Sequence, residues 1–129
     1  MTYKFKREPD SGLILVSVEI DNKYELKMIL DTGATNTTID SNALYLLGYD
    51  LKDNVGTVEI ETANGIIETE IFEIHSFSSL GMIKNDFQIQ VYDFLAHGIF
   101  SDYNGLLGLD FLEETKFCID TKTNTITLT

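Results

Sequence analysis

The residues most suited to catalysis by type and spacing are Asp31, Thr32 and Gly33, which follow an apolar run at residues 28–30. A carboxylate placed where a buried strand meets a turn can act as an acid or a base, and a nearby glycine lets the backbone fold back tightly. A rigid strand end also positions a catalytic group well. The triplet alone has a second interpretation, since Asp, Thr and Gly are common turn residues.

Other residues with nucleophilic or metal-binding chemistry give weaker signals. Cys118 has no cysteine partner and lies in an alternating run, which predicts an inert thiol in the core. His75 and His97 stand far apart, and neither has a His or Cys neighbour at ligand spacing. We therefore predict no metal site and no cofactor.

The composition of the 129-residue chain predicts one compact, mainly β domain. Hydrophobic residues make up 43% of the chain, which suits a single core. Six Tyr, eight Phe and many β-branched residues favour strands, and only one Pro interrupts them. We expect residues 1–129 to form one domain, with a flexible N-terminal extension over residues 1–12.

The charge of the chain limits its partners. Nine basic and 21 acidic residues give a formal net charge of -12, which would repel nucleic acid and anionic membranes. The first ten residues lack the apolar core of a signal peptide, and no later run is long enough to span a membrane. We expect a cytoplasmic location, for a whole protein or for a domain of a longer one.

Hydrophobic alternation predicts how Asp31 is positioned. Residues 13–20 and 24–30 read as a hairpin that leads directly into the aspartate. After it, Asp40 or Ser41 can cap a short helix over residues 43–47, which Gly48 would end.

The rest of the chain also reads mainly as strands. Residues 55–62 and 66–77 flank an Asn-Gly turn, which predicts a long projecting hairpin. The remaining predicted elements are a turn over 81–86, a strand over 87–92, a helix over 110–115 and closing strands over 116–120 and 125–128.

Two separated runs together resemble a known family. Residues 29–35, Ile-Leu-Asp-Thr-Gly-Ala-Thr, and residues 105–112, Gly-Leu-Leu-Gly-Leu-Asp-Phe-Leu, are similar to the retropepsin-type aspartic proteases, especially the retroviral-like domains of cellular proteins. The order of segments over residues 13–128 fits as well. The resemblance implies an all-β acid protease fold, a closed β-barrel with one or two short helices, that works as a homodimer.

The resemblance also implies roles for single positions in the catalytic run. Asp31 would be the catalytic aspartate, and Thr32 would hydrogen-bond with its symmetry mate beneath the two aspartates. Gly33 and Ala34 would line the cleft floor. Thr35 occupies the family's small, often hydroxylated position.

Further roles fall outside the catalytic run. A packing element behind the catalytic loop would comprise Leu106, Leu107 and Gly108. A flap over the substrate would have its tip at Thr62, Ala63, Asn64 and Gly65. Apolar subsites would come from residues such as Leu30, Ile66 and Leu107. One departure is the long segment over residues 72–104, where an additional hairpin is expected within 72–92.

The chemistry of this family needs two carboxylates that share one proton. The only other Asp-Thr pair, Asp120-Thr121, lacks the glycine. The simplest second source is Asp31 of an identical chain across a two-fold axis. We therefore predict an obligatory homodimer that hydrolyses peptide bonds in a peptide or protein substrate.

Two other functions stay open on the sequence. The chain could keep the protease fold without turnover, as a dimerisation or protein-interaction module. It could also be an unrelated small β-barrel or sandwich in which Asp-Thr-Gly occurs by chance.

Overall fold

A computed structural model describes residues 1–63, 65–97 and 102–129. Within these residues it contains eleven strands and two short α-helices, which confirms the predicted mainly β fold. The strands are β1 (Thr2–Lys4), β2 (Lys6–Arg7), β3 (Ile14–Ile20), β4 (Tyr24–Leu30), β5 (Thr38–Asp40), β6 (Gly56–Thr62), β7 (Gly65–Ser79), β8 (Met82–Tyr92), β9 (Gly105–Leu107), β10 (Phe117–Asp120) and β11 (Thr125–Leu128). The helices are α1 (Ser41–Leu46) and α2 (Leu109–Leu112).

The strands form a barrel and a small terminal sheet. The larger sheet has the order β2-β3-β4-β9-β5-β8-β7-β6, and an additional pairing of β3 with β7 closes it. The closing contact joins Glu19 to Ser78 and Ile20 to Phe77. The smaller sheet has the order β1-β11-β10, so β10 lies at a sheet edge.

The first hairpin has the predicted form. β3 and β4 pair antiparallel from Leu15 opposite Ile29 to Ile20 opposite Tyr24. Alternate residues such as Val18 and Met28 are fully buried, as the apolar periodicity predicts. β4 therefore ends one residue before Asp31 with its inner face anchored in the core.

The expected additional hairpin is confirmed, but its predicted turn is misplaced. β7 and β8 pair antiparallel from Glu70 opposite Val91 to Ser79 opposite Met82. Most of the segment 81–86 is therefore strand. The turn lies at Leu80 and Gly81, which adopt φ values of 53° and 73°. Glycine reaches this left-handed region without strain, which is why the chain reverses here.

Both helices begin within two residues of the predicted positions, and α1 also ends within one residue of its predicted end. The Asp40 side chain accepts from the backbone N–H of Asn42 and caps α1, and Gly48 follows with a φ of 93°. α2 is shorter than predicted, since the left-handed φ of 63° at Glu114 interrupts any continuation. No helix among the described residues is long and apolar enough to cross a membrane.

The chain termini meet in the small sheet. Residues 1–12 contain the two short strands β1 and β2. β1 pairs with β11 in the small sheet, and β2 pairs with the start of β3 in the larger one. The prediction that Cys118 lies in the core is wrong, because its side chain is exposed. Its neighbours Phe117 and Ile119 take the inner face of β10 and pack against the core.

Candidate active site

Asp31 lies in the loop that follows β4, and the loop backbone holds it in place. Its N–H donates to the carbonyl of Leu107 at 3.0 Å, and its own carbonyl accepts from Ala34 N–H at 3.1 Å. One carboxylate oxygen, Oδ1, accepts from Gly33 N–H at 2.9 Å. The other oxygen has no hydrogen-bond partner within the described part of the chain. The half-buried carboxylate is thus oriented by one oxygen and free at the other.

Three neighbouring strands of the larger sheet, β4, β9 and β5, support this loop from behind. β9 runs parallel to β4, with Leu106 beside Ile29 and Leu107 beside Leu30. On its other side β9 pairs antiparallel with β5. Leu107 is fully buried, and the element Leu106-Leu107-Gly108 lies behind the loop that holds Asp31.

Two glycines, Gly105 and Gly108, let neighbouring backbone segments approach closely behind the Asp31 loop. A Cβ on Gly105 would lie 2.1 Å from the carbonyl oxygen of Thr38. A Cβ on Gly108 would lie 2.8 Å from the carbonyl oxygen of Ala34. Both contacts are with backbone atoms, which cannot move aside as a flexible side chain can. Side chains are therefore excluded at the two positions by packing.

A buried hydrogen-bond cluster ties the loop to α2. Thr37 is fully buried, and its N–H donates to both carboxylate oxygens of Asp110 at 2.9 Å. The Thr37 hydroxyl donates to Asp110 Oδ1 at 2.7 Å and accepts from Gly108 N–H at 3.1 Å. Backbone bonds from Leu109 to Ala34 and from Asp110 to Thr35 complete the connection.

This cluster contains residues whose role the sequence did not predict. Asp110 does not cap α2, since Gly108 is the cap residue; its carboxylate instead joins two parts of the site. Nothing local marks Thr37 as its partner. The one sequence signal is the position of Asp110 inside the run that resembles the protease family.

Asn104 is a second supporting residue that no sequence motif marks. Its Oδ1 accepts from Lys27 N–H at 2.8 Å, and its N–H donates to the Lys27 carbonyl at 2.8 Å. Its own carbonyl accepts from Asp40 N–H at 2.8 Å. Asn104 therefore joins β4 to β5 just before β9 begins.

The four residues that follow Asp31 lie near the surface. Thr32, Gly33 and Thr35 are exposed, and Ala34 is half-buried. The hydroxyl of Thr32 makes no hydrogen bond to any described residue of its own chain. The run thus presents polar groups outward on the same loop as Asp31.

The predicted flap corresponds to the end of the β6–β7 hairpin. Thr62 pairs with Gly65, and the exposed Ala63 lies in the turn. Asn64 lies outside the described residues. The structure brings Thr62, Ala63 and Gly65 together at one hairpin end, separate in sequence from Asp31.

The two faces of this hairpin differ in chemistry. Glu59 and Glu68 lie directly opposite one another and are exposed. On the other face, the side chains of Val58, Ile60 and Ile67 are half-buried. One face is therefore acidic and the other apolar.

The predicted apolar subsites are partly wrong. Leu30 is 7% exposed and Leu107 is fully buried, so both belong to the core behind the loop. Ile66, beside the hairpin turn, is 70% exposed. Of the three, only Ile66 has an exposed side chain.

Comparison with known proteins agrees with this architecture. A family model described as aspartyl protease matches residues 16–111. A retropepsin-like aspartic protease from Rickettsia conorii is 24% identical with a TM-score of 0.72, over 99% of this chain and 89% of that one.

The retroviral protease-like domain of Ddi1 from Leishmania major is 24% identical with a TM-score of 0.56, over 90% of this chain and 87% of that one. At this identity the two structures establish the fold alone. No curated protein sequence matches the chain.

Proposed function

Because the chain belongs to the aspartyl protease family, we propose that it is an aspartic endopeptidase with Asp31 as its catalytic aspartate. The observation that supports this most is the state of the Asp31 carboxylate. One oxygen is held by Gly33 N–H at 2.9 Å, and the other is unbonded among the described residues. A carboxylate fixed in this way is prepared to meet a water molecule or a second carboxylate.

Two such carboxylates would divide the chemistry between them. Placed side by side they share one proton, because two adjacent negative charges repel strongly. The ionised group takes a proton from water as the water oxygen attacks the carbonyl carbon, while the protonated group donates to the carbonyl oxygen. Transfer of a proton to the amide nitrogen then breaks the C–N bond.

The second carboxylate is proposed to come from a second copy of the chain. The alternative within the chain, Asp120, is the exposed last residue of β10, and its Oδ1 accepts from the N–H groups of Lys122 and Thr123. These bonds lower the pKa of Asp120, chiefly through the backbone of Thr123. A site on a two-fold axis needs only one aspartate per chain.

Two features support a symmetric dimer. The Thr32 hydroxyl is exposed beside Asp31 and lacks a partner among the described residues. β10 is one of the two edge strands of the terminal sheet, since β1 and β10 flank β11 among the described residues. An edge strand has free N–H and C=O groups that can pair with another strand. Contact between two copies of the chain could give the Thr32 hydroxyl a hydrogen-bond partner and the free backbone groups of β10 a paired strand.

The substrate is proposed to be an extended peptide that lies between the Asp31 pair and the hairpin tips at residues 62–65. The exposed Ile66 offers an apolar contact beside the tip. An extended peptide can also hydrogen-bond to hairpin backbone.

The decisive experiment is a cleavage profile on a diverse peptide pool from acid to neutral pH, with wild type, Asp31→Asn and Asp120→Asn. We expect wild type and Asp120→Asn to cleave the same bonds and Asp31→Asn to be inactive while keeping its fold and its sedimentation behaviour. Cleavage by Asp31→Asn would refute the assignment. A wild type that neither cleaves nor binds a statine-type inhibitor would instead support a dimerisation or protein-interaction module.

A further inference from the structure

A cavity lies between the N-terminal segment and the first hairpin, and no residue of the Asp31 loop lines it. Its volume is about 370 Å³. Its walls are contributed by residues 3–6, β3, β4 and the turn that joins β7 to β8. Cavities of this size hold small molecules rather than folded partners.

Ordered contacts build the N-terminal wall. The amino group of Met1 donates to the Leu128 carbonyl at 3.0 Å, and Phe5 N–H donates to the Asn124 carbonyl at 2.9 Å. The Tyr3 side chain lies over Gly81, where an added Cβ would stand 1.8 Å from its hydroxyl oxygen. The segment is thus attached to the terminal sheet at one side and to the hairpin turn at the other.

The lining combines an apolar floor with a basic rim. Phe5 and Leu26 are buried, and Leu15 and Leu80 are half-buried. Three lysines surround this floor: Lys4, Lys6 and Lys27.

The rim is unusual for this chain. It holds three of the nine basic residues of a chain whose net charge is -12. Among the described residues, only one carboxylate, that of Glu25, lines the cavity, and it accepts from the Ser17 hydroxyl at 2.9 Å. In the described part of the chain, the ion pair His75–Asp86 is the only one, so no carboxylate lies within ion-pair distance of the three lysines.

We propose that this cavity binds a small amphipathic anion, an apolar chain or ring that ends in one carboxylate. The apolar body would cover Phe5, Leu15 and Leu80, where it is removed from water. The carboxylate would lie among the lysines, which have no anionic partner of their own. A neutral or cationic molecule of the same shape would lose this charge pairing. The site does not depend on the proposed peptidase activity.

The test is an NMR titration of the full 129-residue chain with three probes that share an eight-carbon chain: octanoate, 1-octanol and octyltrimethylammonium. We expect octanoate to shift the amide signals of Tyr3, Phe5 and Leu80 in a saturable way and to bind at least fivefold more tightly than 1-octanol. Octyltrimethylammonium should bind most weakly. Added salt should weaken octanoate alone.

Matched variants distinguish octanoate binding in the cavity from binding elsewhere on the surface. Lys6→Gln and Lys27→Gln should each weaken octanoate about threefold and together about tenfold, since each removes one exposed charge interaction. Lys122→Gln, at an exposed turn in the terminal hairpin, should leave the affinity unchanged. Equal binding of octanoate and 1-octanol, shifts outside the cavity, or no saturable shift would overturn the proposal.

Discussion

Thr37 and Asp110, 73 residues apart in the chain, are joined by three hydrogen bonds of 2.7 to 2.9 Å. Thr37 follows the catalytic run, and Asp110 lies in the first turn of α2. Their contact links the loop that holds Asp31 to the element behind it. The geometry of the candidate site therefore rests on a polar pair in which Thr37 is buried and Asp110 is half-buried.

We predict that Thr37→Val destabilises the fold by about 2 kcal/mol. The change keeps the shape but leaves the buried Gly108 N–H without its acceptor and removes one donor to Asp110. The adjacent buried Thr38 is a matched control, since its hydroxyl makes only a 3.5 Å contact with the Asn36 carbonyl. Urea unfolding should place Thr38→Val within about 0.5 kcal/mol of wild type. Equal losses in the two variants would contradict the importance of the Thr37 contact.

We predict a graded response to alanine at three glycines. Gly105→Ala should prevent folding, because its Cβ would stand 2.1 Å from the Thr38 carbonyl. Gly108→Ala, with backbone atoms at 2.8 Å, should fold but lose about 3 kcal/mol. Gly33→Ala should fold nearly normally, since its new contact is with Asp31 Oδ1 at 3.2 Å, yet lose peptidase activity as that carboxylate shifts. Thermal unfolding and cleavage assays check the order, and a stable Gly105→Ala would disprove the packing argument.

We predict that Glu68→Lys stabilises the chain by about 0.5 kcal/mol at low salt. Glu68 lies directly opposite Glu59, and like charges in this position repel whereas opposite charges attract. Glu73→Lys is the control, because it changes the net charge equally but faces the neutral Gln88. The difference between the two variants in urea unfolding should vanish in 1 M NaCl. A difference that persists in high salt would mean that packing causes the effect.

We predict that the Tyr49 phenol stays protonated in the folded protein well above pH 10. Burial raises the pKa of Tyr49 above its usual range, and the hydroxyl also donates to Asp21 Oδ2 at 2.5 Å. Since the pKa is higher in the folded than in the unfolded chain, the stabilisation is complete below about pH 10 and is lost above it. The unfolding free energy of wild type minus that of Tyr49→Phe should therefore shrink as the pH rises past 10. A difference that stays constant from pH 8 to 12 would contradict the shift.

We predict that added salt strengthens the proposed homodimer. Each chain has a formal charge of -12, so two copies repel one another unless ions screen them. Sedimentation equilibrium at 50 mM and 500 mM NaCl should give a lower dimer dissociation constant at the higher salt. Cleavage rates per chain should rise in parallel. Weaker association at high salt would indicate that ion pairs hold the interface.

Much of the fold could be predicted from local patterns. Alternation of apolar residues located β3 and β4 within one residue at each end. In a half-buried strand, successive side chains point alternately to the core and to solvent, so the sequence alternates between apolar and polar residues. The turn between β7 and β8 was misplaced since Met82–Tyr92 continues as strand beyond its clearest alternation. Cys118 was assigned to the wrong face, because Phe117 and Ile119 on either side of it take the inner face.

The sequence by itself determined the mainly β class and the hairpin that leads into Asp31, because these depend on short-range periodicity and on turn chemistry. Only the tertiary structure decided that Thr37 meets Asp110, that Asn104 joins β4 to β5, and that three lysines gather around one cavity. Such contacts join residues far apart in the chain, and no local propensity encodes them. They arise when β9 enters between β4 and β5 and the chain termini pair in one sheet.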